Sequence, residues 1–272
     1  MFKNAFFLLL FVVSTTAIFG QIKNDTIALS AVTLKGSPIK NLLQNTAASV
    51  SVITAADINK SDGIILTSVL NKIPGLTMQQ GALNTNRITI RGIGARAQYG
   101  TNKIKAYFDG IPLTTGEGET TIDAIDLASI EKIEIIKGPN STSFGSGLGG
   151  VIQLFSRETP LLASFGKATV TFGSFGLLQQ RLSAGYDDSK TNIFSSYTDL
   201  QTDGFRANSS YNRKSLNLHG KQKMGSNGIL SFLGTFTRLK AFIPSSINET
   251  DLKNSPEKAA STGAAAQGEE AS

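Results

Sequence analysis

The sequence contains no cysteine and only one histidine among its 272 residues. Without cysteine it forms no disulfide and supports no thiolate chemistry. His219 lies on the polar face of a predicted strand, and a catalytic triad or zinc site would need several convergent partners around it. Glu131 and Glu134 lie on a strand that we expect to be mostly buried, so they do not form an obvious acid–base pair. We predict no enzymatic activity and no cofactor.

Long apolar runs are also missing, since no segment approaches the roughly 20 residues that a transmembrane helix needs. The longest run, residues 5–13, follows Lys3 and precedes small residues at 14–17. This arrangement predicts a secretory signal peptide over residues 1–20, with cleavage near Gly20 and Gln21. A membrane role must therefore use β-strands.

The net charge of +6 raises the question of nucleic-acid binding. The lysines are scattered, with neither a basic run nor an interleaved aromatic platform. We therefore expect no nucleic-acid partner.

Residues 104–157 carry the most informative pattern. Residues 106–113 alternate around Asp109 and Gly110, which predicts a bent or hairpin-like strand pair with positive φ at its turn. Residues 130–137 form a β-branched run typical of a buried strand, which Gly138-Pro139 ends. A further strand is predicted over residues 151–155.

A glycine-rich segment, residues 144–150, precedes that last strand. Gly145, Gly147 and Gly150 match the spacing G-x-G-x-x-G, but a dinucleotide site needs this motif directly after a strand and at the start of a helix. Here residues 138–144 intervene and a strand follows, so we reject a nucleotide site. We expect tight turns or close packing of the backbone instead.

The preceding region predicts short elements of both kinds. We expect a strand over residues 49–53, and a helix over residues 55–60 capped by Thr54 with Asp57 at its third position. A second helix is predicted over residues 64–72, ending before Pro74-Gly75. Residues 87–91 predict a strand and residues 122–128 a short helix. Together, residues 47–158 form a predicted α+β domain with a mixed sheet.

These residues closely resemble the plug domain of TonB-dependent outer-membrane receptors. The resemblance rests on six motifs in matching order and spacing, over about 110 residues. They are S-V-I-T-A-A-D-I (51–58), V-L-N-K-I-P-G-L (69–76), I-T-I-R-G-I-G (88–94), Y-F-D-G-I-P (107–112), I-E-K-I-E-I-I-K-G-P (130–139) and F-G-S-G-L-G-G-V-I (144–152).

The resemblance implies two kinds of binding residue. In residues 21–46, which we expect to form a periplasmic arm, a short β-prone island would be the TonB box, which adds as a strand to TonB. The alternative is that this island is the first strand of the plug. The candidate TonB-binding residues are Ile27, Ala28, Leu29, Ser30, Ala31, Val32 and Thr33.

The resemblance also implies that plug loops supply the contacts to a polar, often anionic ligand. The candidate substrate-binding residues are Gln79, Gln80, Arg96, Gln98, Tyr99, Glu117 and Glu119.

From Gly166 onward, apolar and polar residues alternate in long segments separated by turns. This pattern is typical of outer-membrane barrel strands, with lipid outside and lumen inside, although strands of a soluble sandwich also alternate. The preceding plug favours the barrel. About five strands fit into residues 165–243, whereas plugged transporters close with about 22, so the predicted barrel is incomplete. We expect an irregular tail over residues 244–272, with low complexity from Ser261.

The fold class predicted is therefore an α+β plug domain followed by antiparallel transmembrane β-barrel strands. By resemblance, we expect the N-terminal part of an outer-membrane receptor that takes up a ferric siderophore or similar iron chelate. Its expected partners are TonB with its inner-membrane energising complex, the ligand and outer-membrane lipid. Glycan uptake is less favoured because no β-sandwich precedes the plug, and cobalamin is a further alternative. A soluble periplasmic plug-like binding module and a non-functional truncated receptor remain open.

Overall fold

The computed structural model describes residues 48–61, 63–82, 85–96, 101–122, 125–139, 144–145, 147–226 and 228–260. All of them lie in the compact unit that spans residues 33–272. No helix among these residues has the length and apolar character needed to cross a membrane. The predicted signal peptide and the predicted TonB box lie outside the described residues.

Among its described residues, the first domain contains seven strands and two short α-helices, in the order β1, α1, α2, β2 to β7. Its strands are β1 (Ser49–Thr54), β2 (Leu76–Ala82), β3 (Thr85–Ile90), β4 (Ile104–Phe108), β5 (Ile111–Pro112), β6 (Ile130–Lys137) and β7 (Gly150–Ser156). Its α-helices are α1 (Ala55–Asn59) and α2 (Leu66–Leu70). Five strands form one sheet in the order β1-β6-β7-β4-β5, and β2 pairs with β3 separately. Because β4 runs parallel to β7 while the other neighbours are antiparallel, the sheet is mixed, as predicted.

Local sequence explains how these elements begin and turn. The Thr54 side chain accepts a hydrogen bond from the Asp57 amide, and the Asp57 carboxylate accepts one from the Thr54 amide, so the predicted capping box is present. Asp109 and Gly110 have φ values of 46° and 84°, and they connect β4 to β5 as predicted. At Gly150, a Cβ atom would lie 2.2 Å from the Ile136 carbonyl oxygen. Glycine is therefore required where β7 starts beside β6.

One predicted helix is wrong. In place of a helix over residues 122–128, the described residues 122 and 125–129 contain a single 3₁₀ turn at Leu127–Ser129, and β6 begins at the next residue. The Asp126 side chain accepts a hydrogen bond from the Ala128 amide at 3.2 Å. The Asp126 cap starts the 3₁₀ turn, and the turn cannot extend into a helix because β6 begins directly after it. The helices α1 and α2 are also shorter than predicted, since the predicted bounds were 55–60 and 64–72.

A second sheet follows, which we call the wall. Its five antiparallel strands pair in sequence order as β8-β9-β10-β11-β12. They are β8 (Ser164–Phe172), β9 (Leu178–Asp187), β10 (Thr191–Thr202), β11 (Tyr211–Met224) and β12 (Gly228–Ala241). Five strands were predicted here, and within the described residues they form an open sheet.

The tail is more ordered than predicted. Residues 249–254 form helix α3 (Glu249–Asn254), which Asn248 caps by accepting a hydrogen bond from the Asp251 amide at 2.8 Å. Arg206, in the connection between β10 and β11, donates hydrogen bonds to the Ser245 carbonyl at 2.7 Å and the Lys258 carbonyl at 2.9 Å. The prediction of an irregular tail is therefore wrong for residues 249–254, because side-chain caps and contacts from a distant connection are not visible as periodicity. Residues 261–272 lie outside the described residues.

Candidate functional site

The predicted ligand residues on β2 have different environments. The Gln80 side-chain oxygen accepts a hydrogen bond from the Thr67 hydroxyl at 3.0 Å, which ties this residue to α2. Gln79 is exposed, and its side-chain oxygen accepts a hydrogen bond from the Arg87 guanidinium. Gln79 is therefore the more exposed residue of this pair.

Two buried threonines connect this strand pair to the loops that follow. The Thr101 hydroxyl donates to the Asn86 side chain at 3.3 Å and accepts from the Ile88 amide at 3.0 Å, so it holds β3. The Thr120 amide donates to the Thr101 carbonyl at 2.8 Å. Both threonines are at most 2% exposed. Sequence analysis did not identify them, because a buried threonine has no sequence pattern of its own.

The loop at residues 114–120 is closed by hydroxyl groups. The Thr120 hydroxyl donates to the Ile104 carbonyl at 2.6 Å, so the Thr114 hydroxyl must be the donor in their 2.7 Å contact. The Thr115 amide donates to the Glu119 carbonyl at 2.8 Å. This framework leaves the side chains of Glu117 and Glu119 exposed.

The structure thus brings two of the three predicted ligand segments together through Thr101 and Thr120. Arg96 is exposed in the segment after β3. Gln98 and Tyr99 lie outside the described residues, as do Ile27 to Thr33. Their roles stay predictions.

A buried carboxylate joins the first domain to the wall. The Asp126 side chain is 0% exposed, and its oxygen Oδ1 lies 3.7 Å from Arg213 on β11 and 3.9 Å from Arg181 on β9. Its oxygen Oδ2 accepts a hydrogen bond from the Thr198 hydroxyl on β10 at 2.5 Å. One residue therefore contacts three wall strands. The available sequence signal is an acidic residue in a stretch that is otherwise mostly apolar.

The segment after β7 provides a second connection. Glu158 forms an ion pair with Lys221 on β11 at 2.6 Å. The Thr159 hydroxyl donates to the Ile193 carbonyl at 2.6 Å, and the Asn192 side chain donates to the Thr159 carbonyl at 2.7 Å. Asp126 and residues 158–159 are thus two of the places where the first domain contacts the wall. A third is the Gly63 carbonyl, which accepts a hydrogen bond from Arg181 at 3.1 Å.

His219 lies on the same face of β11 as Arg213 and is 5% exposed. Its atom Nδ1 has no hydrogen-bond partner within the described ranges. No group of three or more His, Cys, Asp or Glu residues suited to a metal ion occurs in the described part of the chain. His219 is therefore a buried polar side chain on the inner face of the wall.

The two faces of the wall are opposite in character to those of a soluble sheet. The face toward the first domain is mainly polar and buried, as at Arg213, Ser215, Asn217 and His219. The other face exposes large apolar side chains. They are Val170, Phe172, Leu182, Tyr186, Ile193, Tyr197, Leu216, Leu218, Leu230, Phe232 and Phe236. Polar inside and apolar outside is the pattern of a strand that faces lipid.

Comparison with known sequences supports the plug domain that the sequence motifs predicted. The family profile of the TonB-dependent Receptor Plug Domain matches residues 42–151. The chain is 33% identical over 126 residues to the iron-regulated outer membrane virulence protein of Vibrio cholerae, covering 43% of this chain and 18% of that protein. It is 27% identical over 139 residues to the vitamin B12 transporter BtuB of Vibrio vulnificus, covering 50% of this chain and 21% of that protein.

The fold matches beyond the plug. The ferric yersiniabactin uptake receptor FyuA from Yersinia pestis superposes with a TM-score of 0.63 at 17% identity, covering 78% of this chain and 34% of that receptor. The chain thus matches about a fifth of the length of the curated relatives and a third of this structure. Residues 42–151 thus form a plug domain of the TonB-dependent receptor family, followed by antiparallel strands that form no closed barrel within the described residues.

Proposed function

We propose that this chain forms the plug and the first wall strands of a receptor that imports a ferric siderophore or a similar iron chelate. The observation that carries the proposal is the wall with its polar face bonded to the plug and its apolar face exposed. Such a sheet is suited to enclose a plug inside a lipid bilayer. The proposed role is transport without any covalent step.

The energy source in this proposal is TonB. Ile27 to Thr33 would add as a strand to TonB, whose inner-membrane complex supplies the force that remodels the plug. Leu29→Pro should abolish uptake while ligand binding persists, because proline removes a backbone donor from the added strand. Asn24→Pro is the matched control outside the box. Uptake by the Leu29→Pro receptor at the parent rate would contradict the role of this segment.

The ligand would bind at the plug loops. Gln79, Arg96, Glu117 and Glu119 offer an amide, a cation and two carboxylates on exposed positions. Gln80, Gln98 and Tyr99 complete the proposed set. A cation and an amide suit the anionic and polar groups of an iron chelate.

The choice of an iron chelate draws on the relatives, one of which is named as iron-regulated and another as a ferric yersiniabactin receptor. The similarity to a vitamin B12 transporter supports cobalamin as a second candidate. Deleting the full-length gene should abolish growth on ferric chelates as the only iron source, and the restored gene should rescue it. Unchanged growth on iron with lost growth on cobalamin, or with lost glycan use, would assign the receptor to those substrates instead.

A soluble plug-like module is the alternative of a different class. The apolar outer face of the wall argues against it, because large exposed apolar surfaces are unfavourable in water. Fractionation of cells distinguishes the two. Recovery of the protein in the soluble periplasm would contradict the receptor.

A further inference from the structure

A row of charged side chains crosses the outer face of the wall next to its apolar residues. Asp199, Lys214 and Arg238 are direct neighbours in the strand register, and Lys240 lies two residues beyond Arg238. Asp199 contacts Lys214 at 3.4 Å, and the Lys214 side chain is 52% exposed. Arg238 and Lys240 are exposed as well.

The positive charge of this row exceeds its negative charge. Lys214 and Arg238 stand directly opposite each other, and like charges in that position destabilise a strand pair. Asp199 is the only carboxylate of the described residues that contacts this row, and it contacts Lys214. The Lys240 ammonium lies 5.5 Å from the centre of the Phe242 ring, which does not neutralise it. The row therefore suits an anion.

The position of the row indicates where that anion comes from. Leu216 lies two residues after Lys214 on β11, and Phe236 lies two residues before Arg238 on the antiparallel strand β12, which corresponds to about 7 Å in each case. The cations thus stand just beyond the apolar surface that faces lipid. This is the height at which lipid headgroups begin.

The connections between strands identify the leaflet. At the far end of the wall, β9 and β10 are paired up to Asp187 and Asn192, and β11 and β12 up to Met224 and Gly228, so those turns are short. At the end near the row, residues 203–210 connect β10 to β11. Barrels of the outer membrane have short periplasmic turns and longer extracellular loops. The row therefore lies on the extracellular side.

We propose that Lys214, Arg238 and Lys240 bind a phosphate group of a phosphorylated lipid in the outer leaflet, whose acyl chains lie against Leu216 and Phe236. Arginine binds phosphate through two parallel hydrogen bonds, and lysine contributes a point charge. The proposal rests on the insertion of the wall into the outer membrane. It assigns a lipid partner to a surface that is separate from the plug loops.

The test uses the full-length receptor purified in a non-ionic detergent and titrated with bis-phosphorylated lipid A. Native mass spectrometry counts bound lipid for the parent and for the double variant Arg238→Gln, Lys240→Gln. Each cation near a lipid surface contributes about fivefold to binding, so we expect the double variant to bind roughly 25-fold more weakly. The control, Lys167→Gln with Lys253→Gln, removes two exposed cations elsewhere and should bind like the parent.

Two further arms identify the ligand. The same lipid without phosphate should bind to parent and double variant alike, and inorganic phosphate at equal concentration should not displace lipid A from the parent. Equal binding of both lipids by the parent, full displacement by inorganic phosphate, or undiminished binding by the double variant would each overturn the proposal.

Folding is checked by the heat-dependent electrophoretic mobility of each variant. If the double variant does not fold, Arg238→Lys with Lys240→Arg keeps both charges and should retain most of the binding, whereas Arg238→Gln alone should lose about fivefold. Loss of lipid binding with intact uptake would separate this site from transport. A receptor absent from the outer membrane would instead contradict the proposed function.

Discussion

Asp126 places a carboxylate where neither solvent nor backbone alone can stabilise it. Taking charged groups out of water costs several kcal/mol per ion, so such a group persists only with good partners. Arg181, Arg213 and Thr198 supply those partners from three strands. The Asp126 side chain therefore helps to hold the plug in its position against the wall.

Asp126→Asn should strongly destabilise the full-length receptor. The amide keeps the size of the side chain but removes the negative charge beside two largely buried guanidinium groups, and breaking a buried ion pair typically costs about 3 kcal/mol or more in the free energy of unfolding. Asp199→Asn is the matched control, because its ion pair with Lys214 lies on the exposed face and such pairs contribute about 1 kcal/mol or less. Denaturant titration of both variants measures the difference. Equal losses in the free energy of unfolding for both variants would show that Asp126 contributes no more to stability than the exposed ion pair of Asp199.

The capping box of α1 predicts a pH-dependent contribution. Hydrogen bonds from the Thr54 hydroxyl and amide lower the pKa of Asp57 below its usual value. A carboxyl group whose pKa is lowered by folding stabilises the protein above its unfolded pKa, and this contribution disappears as the pH falls through the folded pKa.

Thr54→Ala should therefore lower the free energy of unfolding by about 1 kcal/mol at neutral pH. The gap between parent and variant should narrow below about pH 4, where Asp57 becomes protonated in the unfolded state and then in the folded state. Thermal unfolding of both proteins at pH 7 and pH 3 measures the gap. A gap of the same size at both values would contradict the charge-dependent cap.

At the level of elements, residue patterns predicted strands better than short helices. Residues 130–137 were predicted as a strand and form β6 with the same bounds, because a β-branched run favours a buried strand. Leu233 interrupts the alternation of β12 in the sequence. In the structure it lies on the inner face and packs against the core of the plug. A contact between distant segments explains this departure, and no local pattern could have predicted it.

The candidate site was predicted only in outline. The exposed loop residues could be selected from their chemical type, but the hydroxyl contacts of Thr101 and Thr120 and the charge cluster at Asp126 depend on pairing between segments far apart in sequence. The same limit applies to residues 122–128, where a short helix was predicted. The Asp126 cap and the start of β6 left room for one 3₁₀ turn.

The two faces of the wall predict opposite effects of a new charge. Phe236 is 69% exposed on the apolar face of β12. Phe236→Arg should cost about 2–4 kcal/mol if that position lies near the middle of the bilayer, and the amount of assembled receptor should fall. Thr235→Arg changes the neighbouring residue on the polar face and should be tolerated. The heat-dependent mobility of the receptor in outer-membrane fractions reports assembly, and similar losses for both variants would contradict a lipid-facing Phe236.

For the molecule as a whole, the proposed transport requires a path past a plug that is bonded to the wall. The plug contacts the wall at residues 158–159, which lie next to β8 in the chain, and at points more distant in sequence. These include Asp126, the Gly63 carbonyl that accepts a hydrogen bond from Arg181, and the plug core against which Leu233 packs. Residues 158–159 can therefore stay in place while the plug moves. The contact at Asp126 is far from the wall strands in sequence, so it must break if the plug leaves.

A reversible cross-link at this contact tests that requirement. Because residues 1–272 contain no cysteine, Asp126→Cys with Thr198→Cys introduces a single reactive pair in this part of the receptor for a short thiol-cleavable reagent, and any cysteine elsewhere in the full-length receptor is first replaced by serine. The cross-linked receptor should bind its iron chelate but not import it, and cleavage of the linker should restore import. The same variant before cross-linking is the control for the loss of the carboxylate. Import at an equal rate with the linker intact would mean that the plug opens a path without releasing Asp126 from the wall.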